Sequence, residues 1–315
     1  MCELVSVVMS VYNEPVDYVT KAIESILNQT WENIEFIIVM DNPSNAELGE
    51  LIKSYGAQYN NIFIMENEKN MGLPYSLNRA ISKASGKYIA RMDADDISFP
   101  ERIEEEVLFL KKNNYDMVAS NRIDIDEEGN IIRKGRKVVR TEKVSKILPS
   151  VCVITHPSVL IKADIIKEMG GYRYFRTSQD YDLWLRMKTE GKRIGIEEKE
   201  LIYYRIRSES IGNKDNFLQR LMTEYIQLLY KERKKKRNGS DSFSKENLEK
   251  FLVGNKYYDV MEKKKYICAK NDFEEGIQEI KYRNFFKGVR KIIKSCRNRH
   301  IRKQVIGLII MNSIK

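Results

Sequence analysis

Short apolar runs alternate with segments of helical period over residues 4 to 120, the pattern of a mostly parallel sheet covered by helices. Leu4 to Val11 reads as a first strand, and Val19, Ala22, Ile23, Ile26 and Leu27 mark one face of a helix. Ile34 to Met40 is a second strand opening into Asp41-Asn42-Pro43-Ser44, and Leu48, Leu51, Ile52 and Tyr55 give the next helix. A third strand is expected at Ile62 to Met65. After Asn70-Met71-Gly72-Leu73, a helix carrying Leu77, Ala80, Ile81 and Ala84 is expected to close at Gly86. Tyr88-Ile89-Ala90 forms a fourth strand. A helix from Pro100 to about Asn113, with Ser98 or Asp96 helping to cap it, and a strand at Met117 to Ser120 complete this half.

Beyond residue 120 the pattern loosens. Ile123-Asp124-Ile125 and Ile131-Ile132 flank Glu127-Glu128-Gly129-Asn130 as a hairpin. Val151 to Thr155 and Ser158 to Ile161 read as strands around His156-Pro157, followed by a helix from Ala163 to Met169 that stops at Gly170-Gly171. Ser178 is placed to cap a last helix with Tyr181, Trp184, Leu185 and Lys188 on one side. Residues 214 to 315 read as mostly helical, with Lys234-Lys235-Lys236-Arg237 ahead of an Asn238-Gly239-Ser240 break.

Composition bounds the class. At 315 residues and 42% hydrophobic, the chain can bury one substantial core and carry a helical appendage. The sequence opens on a core strand rather than a leader, and no run approaches the roughly 20 apolar residues that span a bilayer, so a cytoplasmic location is expected. Cys2, Cys152, Cys268 and Cys296 form no CxxC pair, and reduced thiols are the default. Only His156 and His300 are present, which excludes a histidine-rich metal site and leaves oxygen ligands for any ion. The net charge of +10 is uneven: residues 214–315 hold 26 Lys and Arg against 12 Asp and Glu, whereas residues 1–213 hold 29 against 33. Two parts with different partners are implied.

Candidate chemistry gathers at the strand carboxyl ends, where open α/β sheets bind ligands. Arg91-Met92-Asp93-Ala94-Asp95-Asp96 puts three carboxylates within four residues, and such a cluster is relieved by solvation, protonation or a hard divalent cation. The plain alternative is an acidic turn leading into the next helix. Tyr12-Asn13-Glu14, Asp41-Asn42 and Asn70-Met71-Gly72 add polar groups at neighbouring strand ends. Together they suit a nucleoside diphosphate: Asp41 to accept a uracil-like N–H, Asp93 for ribose hydroxyls, and Asp95 or Asp96 for a divalent ion on the phosphates. No GxGxxG follows Val11 and no P-loop signature occurs, so the phosphate cradles of dinucleotide and P-loop enzymes are missing.

These residues resemble the inverting family 2 glycosyltransferases of GT-A fold. The resemblance rests on Ser6 to Glu14, Ala22 to Trp31, Asn70-Met71-Gly72-Leu73, the DxD within Asp93-Ala94-Asp95-Asp96, His156-Pro157-Ser158, Gly170-Gly171-Tyr172 and Gln179 to Arg186. It covers residues 4 to about 207, and the pieces fall in family order. It implies a Rossmann-like, mostly parallel sheet flanked by helices in residues 1–213, with a nucleotide-sugar half to residue 120 and an acceptor half over 121–213. The basic, mostly helical residues 214–315 would form an appendage. By the same resemblance Val11, Tyr12, Glu14, Asp41, Asn70, Gly72, Asp93 and Ala94 bind the donor, Asp95 and Asp96 hold Mn²⁺ or Mg²⁺, and Asp180 is the general base. His156, Gln179 and Asp182 fall on the acceptor side.

Asp180 also has a physical case. Inverting displacement needs a base on the face opposite the leaving group, and a first-turn acid feels the positive helix end, which favours its ionised form. Asp182 is the competitor, two residues further into the helix. Gln179 departs from the acidic residue the family has there, removing a charge that could raise the pKa of Asp180. Individually, Asp41 also reads as an Asx turn with Pro43-Ser44, Asp180 as a plain helix N-terminal acid, and His156 as a buried structural residue.

The implied function is transfer of a sugar from a nucleotide diphosphate donor, UDP-linked foremost, to a saccharide or lipid-linked saccharide in surface polysaccharide synthesis. The competing class is a non-catalytic nucleotide-binding or membrane-scaffold protein of the same fold, with a metal-dependent phosphohydrolase third. For the basic tail, the readings are a solvated helical face and attraction to an anionic membrane surface, with Val305, Ile306, Leu308, Ile309 and Ile310 as an interfacial helix at the inner face. Nucleic acid is disfavoured, since the tail matches no recognition module.

Overall fold

The computed structural model describes residues 2–134, 139–207, 215–236 and 239–314. Arg237, Asn238, Lys315 and the boundary expected at 213/214 lie outside the described residues. The chain divides into two compact units: Met1–Ser145 with Val153–Arg207, and Lys146–Cys152 with Ser208–Lys315.

Among the described residues, the first unit is built on a nine-stranded sheet. Its strands are β1 (Val5–Val11), β2 (Ile34–Met40), β3 (Ile62–Glu66), β4 (Tyr88–Asp93), β5 (Ile97–Ser98), β6 (Met117–Ile125), β7 (Ile131–Arg133), β8 (Val159–Lys162) and β9 (Ile194–Arg205). The order is β3-β2-β1-β4-β8-β6-β9-β5, with β7 paired to β6. Every residue of β2 and all but Ser10 of β1 are buried, as central parallel strands covered on both faces must be. Helices α1 (Val16–Leu27), α2 (Ala46–Gln58), α3 (Leu73–Lys83) and α4 (Arg102–Asn113) connect the early strands. α1 buries Val19, Ala22, Ile23 and Ile26, the stripe its period marks. The later helices are α5 (Thr141–Ile147), α6 (Ala163–Glu168) and α7 (Gln179–Thr189).

Register decides where the loops emerge. β1 pairs in parallel with β2 from Val5↔Ile34 to Val11↔Met40, and with β4 from Val5↔Tyr88 to Ser10↔Asp93. Tyr12, Asp41 and Ala94 therefore leave the sheet side by side. β8 runs antiparallel to β4, with Ala90↔Leu160, so the 3-10 turn His156–Ser158 that precedes it arrives at the carboxyl end of β4. β6 is antiparallel to β8 and parallel to β9, which returns the carboxyl end of β9 to that same edge.

Several elements differ from expectation. β9 and the short β5 are additional, and the cause for β9 is visible: Glu197-Glu198-Lys199-Glu200 breaks its apolar alternation and is accommodated by register shifts around Asn121. Residues 151–155 form no strand. α4 starts at Arg102 with Glu101 at its cap position; Ser98 is buried in β5, and Asp96 accepts from the Arg205 backbone N–H at 2.8 Å. Ser178 holds the cap position of α7 in a left-handed conformation, φ 63°, and makes no side-chain capping bond. α3 ends at Lys83, and Gly86 serves a different purpose. Its backbone N–H donates to Ser6 Oγ (2.8 Å) and Glu35 Oε1 (3.0 Å), so close that an added Cβ would lie 2.7 Å from the Ser6 nitrogen and 2.9 Å from the Leu4 oxygen.

The second unit is helical among the described residues: α8 (Asn216–Lys235), α9 (Lys245–Gly254), α10 (Val260–Lys281), α11 (Phe285–Ser295) and α12 (Arg299–Ser313). α8 buries Phe217, Leu218, Leu221, Met222, Tyr225, Ile226 and Leu229, a wide apolar face at helical spacing. It also buries Glu224, where burial pushes the carboxyl up but hydrogen bonds from His300 (2.8 Å) and Lys303 (2.5 Å) hold it at about 2. α10 and α11 form a close hairpin in which a Cβ on Gly276 would lie 2.9 Å from the Gly288 oxygen. No described helix is long and apolar enough to cross a membrane.

Gly86→Ala is expected to lower stability by about 1–3 kcal/mol, the range for forcing atoms into a packed site. The measurement is the urea unfolding midpoint, and an unchanged midpoint would contradict the close approach of β4 to β1.

Candidate active site

β4 ends at Asp93, and Ala94-Asp95-Asp96 follow it. Carboxylate oxygens of Asp93, Asp95 and Asp96 lie within 4.8 Å of one another. Arg91, buried on β4, pairs with Asp93; burial opposes its charge, yet that carboxylate carries its pKa up. Arg205, at the end of β9, donates its backbone N–H to Asp96 Oδ1 and its Nε to the Asp95 carbonyl (2.9 Å), while Nη1 reaches the Asp126 and Glu127 carbonyls. Its guanidinium lies over the Tyr18 ring, 4.1 Å from the centroid. Arg207 Nη1 donates to Asp95 Oδ2 at 3.1 Å.

These cations do not discharge the cluster. Burial first, and then the Asp95 and Asp93 charges, push Asp96 well above the carboxylate range. Burial and Asp93 also raise Asp95, against the pull of Arg207. Glu14 is raised by burial and feels the same two aspartates, although it accepts the Tyr12 N–H at 2.7 Å. Asp96 Oδ2 is buried and has no hydrogen-bond partner. Three converging carboxylates and an orphaned oxygen fit a hard divalent cation.

Asp41 is buried at the end of β2. Its Oδ1 accepts from Asn67 Nδ2 (2.6 Å) and the Met71 N–H (2.8 Å), and its Oδ2 from the Gly72 N–H (2.9 Å). The carboxylate thus folds the Asn70–Gly72 loop, with Gly72 at φ 86° starting α3. The turn at Pro43-Ser44 is made by Asn42, whose Oδ1 accepts the Ser44 N–H, and Asn42 in turn donates to Asn13. Tyr12 and Asn70 are exposed, and Val11 and Ala94 buried.

The acceptor-side candidates separate. His156 Nε2 is 2.8 Å from the Tyr172 hydroxyl, and its ring meets Trp184 edge-on at 6.1 Å. Burial and then Arg91 push its pKa well below 6.5, so the imidazole is neutral. Asp180 opens α7 half-buried, and burial raises its carboxyl, with Asp93 pushing the same way and Arg91 opposing. The helix end does not win, contrary to expectation. Asp180 and Asp93 also act together on Tyr172, whose pKa burial raises. Gln179 is buried beside Asp180.

Asp182 has a different job from the one expected of a competing base. It is fully buried, accepts Arg186 Nε at 2.8 Å and faces Arg173 at 3.8 Å. Arg186 in turn donates to the carbonyls of Met169 (2.5 Å) and Gly171 (2.6 Å), clamping the Gly170-Gly171 turn, φ 70° and 67°, onto α7. Asn78 on α3 grips the next residue, accepting the Tyr172 N–H and donating to its carbonyl, both at 2.8 Å. Tyr172 is thereby fixed against His156. Tyr172 is part of the Gly170-Gly171-Tyr172 motif but was given no role from sequence, and Arg205 and Arg207 were not singled out; Tyr203-Tyr204-Arg205-Ile206-Arg207 was the available signal for a strand end carrying cations.

The model of glycosyl transferase family 2 matches residues 6–170. The chain is 38% identical over 229 residues to an uncharacterized glycosyltransferase, MJ1057, of Methanocaldococcus jannaschii, covering 72% of this chain and 77% of that one. It is 35% identical over 210 residues to the O-antigen biosynthesis glycosyltransferase WbnJ of Escherichia coli, covering 66% and 82%. Among solved structures, S. aureus TarS 1–349 in complex with UDP-GlcNAc superposes with a TM-score of 0.57 at 16% identity, covering 81% of this chain and 73% of TarS. The mannosyltransferase PcManGT from Pyrobaculum calidifontis, in complex with GDP-Man and Mn²⁺, gives 0.58 at 12% identity, covering 98% and 81%. At these identities the structural likeness is one of fold, and the fold is GT-A.

Two neighbouring aspartates should respond oppositely to loss of charge. Asp182→Asn leaves Arg186 buried without its carboxylate and is expected to cost about 3–5 kcal/mol. Raised by burial, Asp180 binds its proton more tightly folded than unfolded, so its ionised form works against the fold at neutral pH. Asp180→Asn should therefore melt at the same or a higher temperature than the wild type. Equal destabilisation by both substitutions in thermal unfolding would overturn this division.

Proposed function

The chain belongs to glycosyl transferase family 2 and is a glycosyltransferase, and on that premise we propose inverting transfer from a UDP-linked sugar to a saccharide or lipid-linked saccharide acceptor, with Asp180 as general base. One observation carries the reading: antiparallel β8 brings the His156–Ser158 turn of residues 121–213 to the carboxyl end of β4, where Asp93 lies, and His156 there holds Tyr172 at 2.8 Å. Donor and acceptor halves of one catalytic domain then meet at a single sheet edge.

In this reading Asp41 receives the base N–H through Oδ2, which accepts one recorded bond, and Asp93 takes ribose or sugar hydroxyls. Val11, Tyr12, Glu14, Asn70, Gly72 and Ala94 surround the donor. A bound Mn²⁺ or Mg²⁺ would be held by Asp95 and Asp96 and would supply positive charge against the leaving diphosphate. Asp180 accepts the acceptor hydroxyl proton as the new C–O bond forms and the nucleoside diphosphate departs from the opposite face. Its raised pKa makes it a stronger base than a free carboxylate, so burial replaces the like charge absent at Gln179. Neutral His156, held by Tyr172, and Gln179 offer hydrogen bonds on the acceptor side. Asp182 takes no part beyond the clamp.

The nucleotide sugars of TarS and PcManGT and the Mn²⁺ of the latter support a metal-assisted donor site. WbnJ, named for O-antigen biosynthesis, supports a surface polysaccharide as product. An acceptor carried on lipid would place the enzyme at the inner face of a membrane, peripherally, through the basic residues 214–315.

Asp95→Asn is expected to weaken nucleotide binding and abolish metal-dependent turnover. Asp180→Asn should keep nucleotide affinity within about twofold while transfer falls about 10²–10⁴-fold, the usual contribution of a positioned base. Full transfer by either variant sinks that assignment. The acid limb of kcat should also fall as pH drops through a pKa above 3.8, because burial raises the group that must be ionised. A limb at or below that value would contradict Asp180 as base.

A further inference from the structure

The turn between α10 and α11 and the helix ends flanking it, Lys281 to Lys287, are all exposed, and they include Tyr282 at 77%, Phe285 at 59% and Phe286 at 89% exposure. Among the described residues of the unit, these rings stay exposed. The hairpin that carries them is stiff: Gly276 and Gly288 let the backbones touch, and Lys287–Glu279, Lys291–Glu275 and Lys294–Asp272 pairs cross-link the two helices. Phe286 and Ile293, seven residues apart on α11, are both exposed on one face, with the exposed Arg290 between them.

Charge selects the partner. Lys281, Arg283 and Arg290 have no recorded ion pair among the described residues, whereas Glu279, the acid nearest the turn, is paired with Lys287. Aromatic rings at a protruding turn, ringed by uncompensated cations, match the boundary between anionic headgroups and acyl chains, where rings sit at headgroup depth and basic side chains meet lipid phosphates. We propose that this tip, with the Phe286–Ile293 face of α11, docks the enzyme on an anionic lipid bilayer. The inference rests on the membrane-surface reading of residues 214–315 and names the residues that enter. It moves the contact away from α12, where Ile301 is buried and a Cβ added at Gly307 would lie 3.1 Å from the Ser150 oxygen, although Ile306, Ile309 and Ile310 remain exposed.

The test is flotation of the full chain with phosphatidylglycerol-containing vesicles and with pure phosphatidylcholine vesicles. It compares wild type with Phe285→Ser/Phe286→Ser and with Ile306→Ser/Ile309→Ser, each checked for wild-type circular dichroism. Wild type should float with the anionic vesicles only. The tip variant should lose at least about tenfold in partitioning, as removal of two buried apolar rings requires, and the α12 variant should stay within about twofold of wild type. Undiminished flotation of the tip variant overturns the inference and leaves the membrane reading standing. Failure of wild type to float overturns both. A wild-type dimer that the tip substitutions convert to monomer in light scattering means that a second copy covers the rings, and the inference falls.

Discussion

Four carboxylates gathered at one edge of the sheet are held close with only part of their charge offset by neighbouring cations, and the first unit is arranged around that constraint. Asp93, Asp95 and Asp96 follow β4, and Glu14 stands beside them after β1. Arg91 approaches from within β4, and Arg205 and Arg207 from the end of β9. Arg91, Arg207 and the Arg205 backbone position the acids, yet Asp95 and Asp96 keep raised pKa values and Asp96 keeps an oxygen without a partner. The acidic edge suits a cation, and its position follows from parallel register.

The proposed transfer also needs a base close to that edge. Antiparallel β8 carries His156 to the carboxyl end of β4. The Asp182–Arg186 clamp and the Asn78 grip on Tyr172 then fix the turn that leads toward α7. Asp180 is left half-buried and perturbed by Asp93, which suits a proton acceptor working opposite a departing diphosphate. The same helix turn supplies one aspartate for the clamp and, in the proposed reaction, one as base.

Much of this was legible in the chain and some was not, for identifiable reasons. β1, β2 and β4 announce themselves because strands buried on both faces are nearly continuous apolar runs, and their loops carry Tyr12, Asp41 and Asp93 to the expected edge. β9 stayed hidden because Glu197–Glu200 interrupts its pattern, and with it went Arg205 and Arg207, more than 100 positions from the acids they hold. Asp180 and Asp182 look alike in sequence, both in the first turn of one helix. Arg186, four residues after Asp182, was the discriminating signal. The direction of the Asp180 shift depends on burial, which spacing does not report.

The central claim, that the Asp93–Asp96 cluster is a cation-dependent site for a nucleoside diphosphate, is tested most directly by calorimetric titration of UDP, GDP, dTDP and CDP into the wild-type chain with Mn²⁺ and with EDTA. The expected result is binding of UDP that requires Mn²⁺, with the other nucleotides weaker. Equal affinity in EDTA, or no binding of any of the four in Mn²⁺, would contradict it.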